Sequence, residues 1–317
     1  MKRHLALALF LLLVVAAVSG CGSSTKPAAP LGMNVGGTNG ATAVDVAQTA
    51  DALAASAGLI NEDQYTTAAP MPMMFGASST SSARPIHWWR TIDSTTRTVD
   101  IVYGDPDSLG RPTTAVATIH RHLVGTFNIV SADTGRVYPM PPVLRKPLDD
   151  LWTRKLKLYR FRADSISPGD STDGRVHWRV VGTSGVTVTS AEATTQIQSI
   201  RIQAGGRDTL ITDPLQLHRL RRILWIPQDM PVTVTVRTGR PDDIVVLYHG
   251  FGRHMFTPNG DGTYVATFSE GDFPGLRHFG VNAFSRGTLL DPEAPYDSQA
   301  WVLPFAVRDL DCFVDRR

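Results

Sequence analysis

The sequence contains little cysteine and almost no net charge. Cys21 and Cys312 are the only cysteines among 317 residues, so a framework of several disulfides is excluded. The stability of the fold must instead come from a buried core, which a chain of this length can supply. Lysine and arginine number 31 against 29 acidic residues. This balance gives no support for binding to nucleic acid or to another acidic polymer.

Motifs for enzyme chemistry are also missing. The chain has no phosphate-binding glycine loop, no dinucleotide fingerprint and no Cys-x-x-Cys pair. Residues 244–252 resemble the strand and His-Gly turn of α/β-hydrolases, but the Gly-x-Ser-x-Gly elbow that such enzymes require is absent. We therefore interpret this segment as a strand and a turn. No catalytic residue is predicted, and an enzyme is the less favoured class.

The acidic and histidine pairs give equally little support for a reaction centre. Adjacent acids in a strand point to opposite faces, so neither Asp149-Asp150 nor Asp242-Asp243 is expected to form a catalytic pair. Both pairs lie beside predicted turns and are predicted to be solvated. Histidine is a common zinc ligand, but two paired sets of histidines lack a third ligand nearby in sequence. These sets are His120 with His122 and His249 with His254. No metal and no cofactor are predicted.

The N-terminal residues have the layout of a secretory signal. Lys2 and Arg3 precede an unbroken apolar run over residues 5–18. This run is shorter than the roughly 20 residues that a permanent transmembrane helix needs. We therefore predict a cleaved signal peptide over residues 1–20.

Val18-Ser19-Gly20-Cys21 resembles the lipobox of bacterial lipoproteins. That resemblance implies cleavage before Cys21 and a lipid attached to its sulfur, so the chain would be anchored to a membrane in the cell envelope. Residue 22 is Gly rather than Asp, which favours the outer membrane if the cell is Gram-negative. The alternative is an ordinary signal peptide with a chance cysteine. A lipid on Cys21 would leave Cys312 alone, and we predict that Cys312 is packed and inert.

A flexible tether and one helix are expected next. Residues 21–40 are small, polar and rich in Gly and Pro, as is typical of a tether. Thr42 and Asp45 have the spacing of a helix capping box, and Gly58 offers a stop. Four apolar residues would share one face of this helix: Val46, Ala50, Leu53 and Ala57.

From residue 97 onward, short apolar runs separated by turn residues predict a mainly β protein. The candidate strands include residues 114–120, 125–131, 195–203 and 208–212. Val99, Ile101 and Tyr103 would share one face of a strand, and Trp88-Trp89 suggests entry into a packed core, with a ligand platform as the alternative. Residues 41–228 are predicted as a β-rich middle domain with one short N-terminal helix. Its helix-first order and its strand around Trp178 resemble the NTF2-like α+β cone; a plain β-sandwich or barrel is the alternative.

Residues 229–309 predict a second domain, with residues 310–317 as a C-terminal tail. Val232, Val234 and Val236 alternate with threonines, and several similar short strands follow, which favours a sandwich of immunoglobulin size. Residues 259–264, Asn-Gly-Asp-Gly-Thr-Tyr, resemble a hairpin of bacterial Ig-like modules, in which the Tyr enters the core. Pro304 cannot donate to a strand ladder and predicts that the last strand lies at a sheet edge.

Two functional hypotheses follow. The first is a non-enzymatic, membrane-tethered envelope protein that presents loops or an edge strand to a surface or envelope partner, or that serves in surface assembly. The second is an enzyme or small-ligand binder whose pocket in the middle domain is lined by His120, His122 or His177. The basic cluster over residues 218–222 is predicted to be a solvated face.

Overall fold

Antiparallel strands make up most of the computed structural model, as the mainly β prediction required. The structure describes residues 32–36, 40–56, 85–131, 143–161, 177–249, 252–269 and 275–308. Apart from Gly32, these residues belong to one compact unit, Met33–Arg317. The predicted signal peptide, Cys21, most of the predicted tether and the predicted tail at residues 310–317 lie outside the described residues. So does Cys312.

The first half of the described chain forms a meander of long strands preceded by one helix. These elements are β1 (Gly32–Gly36), α1 (Ala43–Ala55), β2 (Pro85–Tyr103), β3 (Thr114–Ser131), β4 (Val143–Phe161) and β5 (His177–Ser190). Each strand from β1 to β5 neighbours the next one in the sheet. Strand β1 lies within the segment that was predicted to be a flexible tether. A strand forms there because its backbone pairs with the edge of β2.

The second half contains the remaining strands, most of them short. They are β6 (Ile197–Ala204), β7 (Arg207–Ile211), β8 (His218–Arg219), β9 (Leu224–Pro227), β10 (Pro231–Thr238), β11 (Ile244–His249), β12 (Gly252–Met255), β13 (Thr257–Pro258), β14 (Thr263–Ser269), β15 (Gly275–Phe284) and β16 (Ser298–Arg308). A short helix, α2 (Arg286–Leu290), connects β15 to β16, and Leu220–Arg222 forms a single 3₁₀ turn.

These strands form two sheets. The 11-stranded sheet has the order β1-β2-β3-β4-β5-β16-β15-β11-β12, with β8 beside β5 and β9 beside β16; the 5-stranded sheet has the order β13-β14-β10-β6-β7. Strand β16 pairs with β5, and β10 pairs with β6. The hydrogen bonding therefore crosses the expected domain boundary between residues 228 and 229.

The two sheets enclose an apolar core in the second half of the chain. The alternating valines of β10 are fully buried, as predicted, and so are Phe279, Val281 and Ala283 on β15. The turn before β14 also forms as predicted: the Asn259 N–H donates to the Thr263 carbonyl at 2.9 Å, and Tyr264 is buried. Each large apolar side chain buried here contributes about 1.5–3 kcal/mol.

The edge position predicted from Pro304 is wrong. Strand β16 pairs with β15 along its length on one side. On its other side it pairs with β5 through Gln299–Val302 and with β9 through Phe305–Arg308. Pro304 lies where one neighbour gives way to the next, so its missing N–H interrupts no ladder bond on that side.

Strand β3 joins two segments that the sequence predicted as separate strands, residues 114–120 and 125–131. Gly125 lies opposite a bulge between Ile92 and Ser94 in β2. A Cβ atom at residue 125 would come within 2.0 Å of the Thr91 carbonyl oxygen. Glycine therefore lets the strand pass the bulge without a break.

Helix α1 begins as predicted but buries a different face. Thr42 and Asp45 form the capping box. The buried residues are Asp45, Thr49 and Leu53. Of the expected apolar set, Val46 and Ala50 are half-buried, and Ala57 lies outside the described residues. Hydrogen bonds orient the helix with this face inward. Trp178 donates its indole N–H to Asp45 at 3.2 Å, and Thr49 forms a hydrogen bond with the Tyr103 hydroxyl at 3.2 Å.

Candidate binding groove

A groove of about 460 Å³ opens at the side of the sandwich where β7 ends the 5-stranded sheet. One wall comes from β7 and the other from the connection between β7 and β9. Leu303 and Pro304 of β16 line it from the 11-stranded sheet. A volume of this size lies within the range of roughly 300–1,000 Å³ found for ligand sites.

The β6–β7 hairpin positions the first wall. Its two turn residues, Gly205 and Gly206, both have positive φ, at 55° and 76°, which a tight two-residue hairpin requires. The register places Thr209 opposite Ile202 and Ile211 opposite Ile200, so these side chains face the other sheet. Ile211 packs against the apolar core and Thr209 is half-buried. The hairpin therefore forms one side of the groove, and Ile211 connects that side to the apolar core.

Among the strands of the described residues, none pairs with the outer edge of β7. In a two-residue hairpin the pair that closes the turn, here Ala204 and Arg207, exchanges hydrogen bonds, and the pairing alternates from there. The backbone groups of Arg207, Thr209 and Ile211 thus face β6. Those of Asp208 and Leu210 face outward, where a further strand could pair.

The second wall is held in place by local hydrogen bonds. The Gly185 N–H donates to the Pro214 carbonyl at 2.8 Å, which fixes the connection against β5. The Asp213 carboxylate accepts the Leu215 N–H at 2.8 Å, and Leu224 and Trp225 run parallel to β16 in β9. The groove is therefore largely preformed.

Arg207 and Trp225 meet across the mouth of the groove. The guanidinium carbon lies 3.6 Å from the centre of the indole ring, in a cation–π contact. His218 and Arg222 are exposed at the rim, as the solvated-face prediction required, and they also line the groove. Asp213 supplies the carboxylate of this lining. The rim is therefore basic around an apolar interior.

The histidines that were considered in the sequence do not line this groove. The His120 Nε2 lies 3.6 Å from Asp100, and the His122 Nε2 lies 2.7 Å from Asp149, on a partly exposed surface. The ring of His177 stacks on Phe161 at 6.2 Å. Within the described ranges, no group of three or more His, Cys, Asp or Glu residues could hold a metal ion.

The prediction that both acidic pairs are solvated is wrong for Asp150 and Asp243. Asp149 is exposed, but Asp150 is only 1 % exposed, on the opposite face of β4. Burial raises the pKa of Asp150 to about 6, although Arg90 opposes this shift. Burial likewise raises the pKa of Asp243 to about 6.

Asp150 belongs to a buried polar cluster with Arg90 and Tyr296. The Tyr296 hydroxyl lies 3.2 Å from the Asp150 carboxylate and accepts a hydrogen bond from Arg90 at 3.1 Å. Aromatic rings surround the guanidinium, with Trp88 and Phe127 centred within 6 Å of it. This cluster ties β2 and β4 to the segment before β16. We interpret its role as structural.

Sequence reasoning located the strands that build the groove but not the groove itself. The hairpin was anticipated as two strands, whereas the open edge of β7 and the approach of Trp225 depend on tertiary packing. None of the helices among the described residues has both the length and the apolar character needed to cross a membrane. No protein-family model, no curated protein and no solved structure matches this chain.

Proposed function

We propose that the chain is a lipid-anchored protein of the cell envelope that acts without catalysis, by binding an extended segment of another envelope protein in the groove beside β7. The anchor would be the lipid on Cys21. Its support is the sequence alone: a basic start, a short apolar run and a lipobox-like Val18-Ser19-Gly20-Cys21.

The observation that carries the binding role is the open edge of β7 beside a preformed groove. An extended segment that pairs with the outward groups of Asp208 and Leu210 would gain backbone hydrogen bonds. Its alternate side chains would then point toward the groove. The five residues of β7 offer a pairing length of about 17 Å. The backbone would provide affinity, and the groove would provide selectivity.

The alternative, a pocket in the middle domain, has less support. Of its expected lining residues, His120 contacts Asp100 and His122 contacts Asp149, while His177 stacks on Phe161. The groove could also hold a small apolar molecule, since its volume suits one. A small apolar molecule cannot form hydrogen bonds with the open edge of β7, whereas an extended polypeptide can, so an extended polypeptide is favoured.

A pair of substitutions at Leu210 tests strand addition. Leu210→Pro removes an outward N–H without breaking a β6–β7 hydrogen bond, while Leu210→Ala keeps the N–H and trims the side chain. The probes are peptides of about ten residues in which leucine alternates with a polar residue, long enough to cover β7. Binding to the whole mature chain is measured by fluorescence anisotropy.

We expect Leu210→Pro to weaken peptide binding about tenfold or more, which corresponds to the loss of one backbone hydrogen bond that would be left unmade. Leu210→Ala should bind within about threefold of the unaltered chain. Equal binding by all three proteins, or no binding of any peptide, would contradict the proposal. Thermal unfolding of both variants serves as the control for folding.

The anchor is tested separately with Cys21→Ser. The unaltered chain should partition with membranes and carry a lipid detectable by mass spectrometry. The variant should be released into the soluble fraction if export continues. A variant that remained wholly membrane-bound and acylated would contradict the anchor proposal.

A further inference from the structure

We infer that the segment bound in the groove is acidic: on the face that it turns to the groove it carries an Asp or Glu side chain beside apolar ones, and Arg207 leaves Trp225 to receive that carboxylate. This inference rests on the proposed function and specifies the partner of the same site. It follows from the charges around the groove and from the contact at its mouth.

The charged groups that line the groove are mostly cationic. Arg207 and Arg222 contribute two permanent positive charges, and His218 adds a third basic side chain, against the one carboxylate of Asp213. That carboxylate already accepts the Leu215 N–H. A segment with negative charges would therefore complement this rim, whereas a basic one would be repelled.

The position of Arg207 differs from that of its neighbours on the hairpin. Arg201, on the outer face of β6, forms an ion pair with Asp208. Among the described residues, neither Arg207 nor Arg222 has an ion pair with a carboxylate. Arg207 lies instead over the face of Trp225. Its five N–H donors therefore remain suited to a carboxylate that arrives with a ligand.

The contact between Arg207 and Trp225 can also act as a gate. Arg207 is on β7 and Trp225 is on β9, so the contact spans the two walls of the groove. An exposed cation–π contact is weaker than a bidentate pairing of arginine with a carboxylate. An incoming acidic side chain should therefore draw Arg207 off the ring, and the indole face would then contact an apolar side chain of the ligand.

Two peptides of matched length provide the test. In both, leucine alternates with serine, and one central leucine is replaced by glutamate in the first peptide and by lysine in the second, so that the charge shares a face with the remaining leucines. We expect the glutamate peptide to bind the mature chain about tenfold more tightly at low salt, with the difference falling as salt rises. Arg207→Glu should reverse this preference. Arg207→Gln should reduce the preference without reversing it.

Arg237→Glu is the matched control. Arg237 is exposed on β10 of the same sheet, its neighbour Val236 faces the core, and the substitution changes the net charge by the same amount. It should leave the preference for the glutamate peptide unchanged. A preference that shifted equally in both charge-reversal variants would report overall charge only and would contradict the role of Arg207.

The outcomes separate this inference from the proposed function. If both peptides bind equally and Leu210→Pro still weakens them, the groove binds extended segments without regard to charge, and the acidic specificity is wrong. If Arg207→Glu weakens the binding of both peptides equally and substitutions of Arg207 lower the melting temperature, the Arg207–Trp225 contact is structural only. The proposed gate would then be wrong. If neither peptide binds, the proposed function itself fails.

Discussion

The two halves of the described chain bury different kinds of side chain. Between the two sheets the core is apolar, with Val234, Phe279 and Phe305 fully buried. The buried face of the meander combines apolar side chains such as Trp152 with charged groups, among them Arg90 and Asp150. Strands from both halves nevertheless belong to the same 11-stranded sheet. Similar strand pairing therefore accompanies an apolar core in one region and a mixed apolar and charged interior in the other.

Lys146 shows what the buried charges of the meander do. Its ammonium donates to the carbonyls of Gly287, Asp291 and Ala294 at 3.1, 2.7 and 2.6 Å. These carbonyls lie in α2 and just after it, in the connection between β15 and β16. A buried cation with three acceptors thus fixes a distant loop onto β4. Burial lowers the pKa of Lys146, while Asp291 and Glu293 oppose that shift.

The largest effect should come from the apolar core. Phe279→Ala removes a fully buried ring that contacts Phe268 and Phe305. We expect the free energy of unfolding to fall by about 4 kcal/mol, because transfer and cavity costs add. Denaturant unfolding at pH 5 and at pH 8 should give similar losses, since no titrating group is removed. A loss below about 1 kcal/mol would show that this core is not tightly packed.

The next effect should come from the charged cluster and should depend on pH. Arg90→Met leaves Asp150 buried without its cationic partner, which we expect to cost about 3 kcal/mol at pH 8. At pH 5 the loss should be smaller, because the pKa of Asp150 is already raised to about 6 and the carboxyl is then protonated in the folded state.

The raised pKa of Asp150 also makes the stability of the unaltered chain depend on pH. The folded-state pKa of Asp150 lies above the ordinary value of 3.8, so the folded chain binds the proton more tightly than the unfolded chain. The stability that this group contributes is therefore present at low pH and is lost as the pH rises through about 6. The double variant Arg90→Met/Asp150→Asn should lose the extra pH dependence. Equal losses for Arg90→Met at both pH values would contradict this account.

A smaller and more local effect is expected for Lys146→Met. Three hydrogen bonds are lost, but the cost of burying a cation is removed as well, so the net loss should be about 2 kcal/mol. Hydrogen exchange should quicken in α2 and in the residues after it, while amides of β10 and β14 keep their protection. A uniform rise in exchange across the molecule would argue against a local anchor.

The smallest effect belongs to the helix cap. Thr42→Ala removes the side chain that accepts the Asp45 N–H at 3.3 Å, and we expect a loss of about 1 kcal/mol. The pKa of Asp45 lies below its ordinary value because hydrogen bonds from Thr42 and Trp178 outweigh desolvation. The variant should therefore also raise the pKa of Asp45, measurable by NMR titration. An unchanged titration would show that the cap contributes little.

Sequence reasoning succeeded where the information was local. The alternating valines of β10, the Val99, Ile101 and Tyr103 face and the Thr42 cap each depend on residues a few positions apart, and all three are confirmed. The prediction that Asp149 and Asp150 point to opposite faces of their strand is also confirmed. That Asp150 is the buried one depends on Tyr296, which is 146 residues away, and no local pattern carries that information.

The groove was missed for a related reason. The strands around Gly205-Gly206 were anticipated, and alternation even indicates which side chains share a face. Strand β7 ends the 5-stranded sheet because β6 pairs with β7 on one side and with β10 on the other. Trp225 reaches Arg207 only because β9 pairs in parallel with β16, a pairing between distant segments. Local residue patterns do not specify either pairing.

Hydrogen exchange at β7 tests the central claim most directly. With the glutamate peptide at saturation, the outward amides of Asp208 and Leu210 should exchange at least about tenfold more slowly, because they gain hydrogen-bond acceptors. The Thr209 amide faces β6 and should change much less. Bound peptide without any slowing at Asp208 and Leu210 would show that the ligand does not pair with β7, and strand addition in this groove would be wrong.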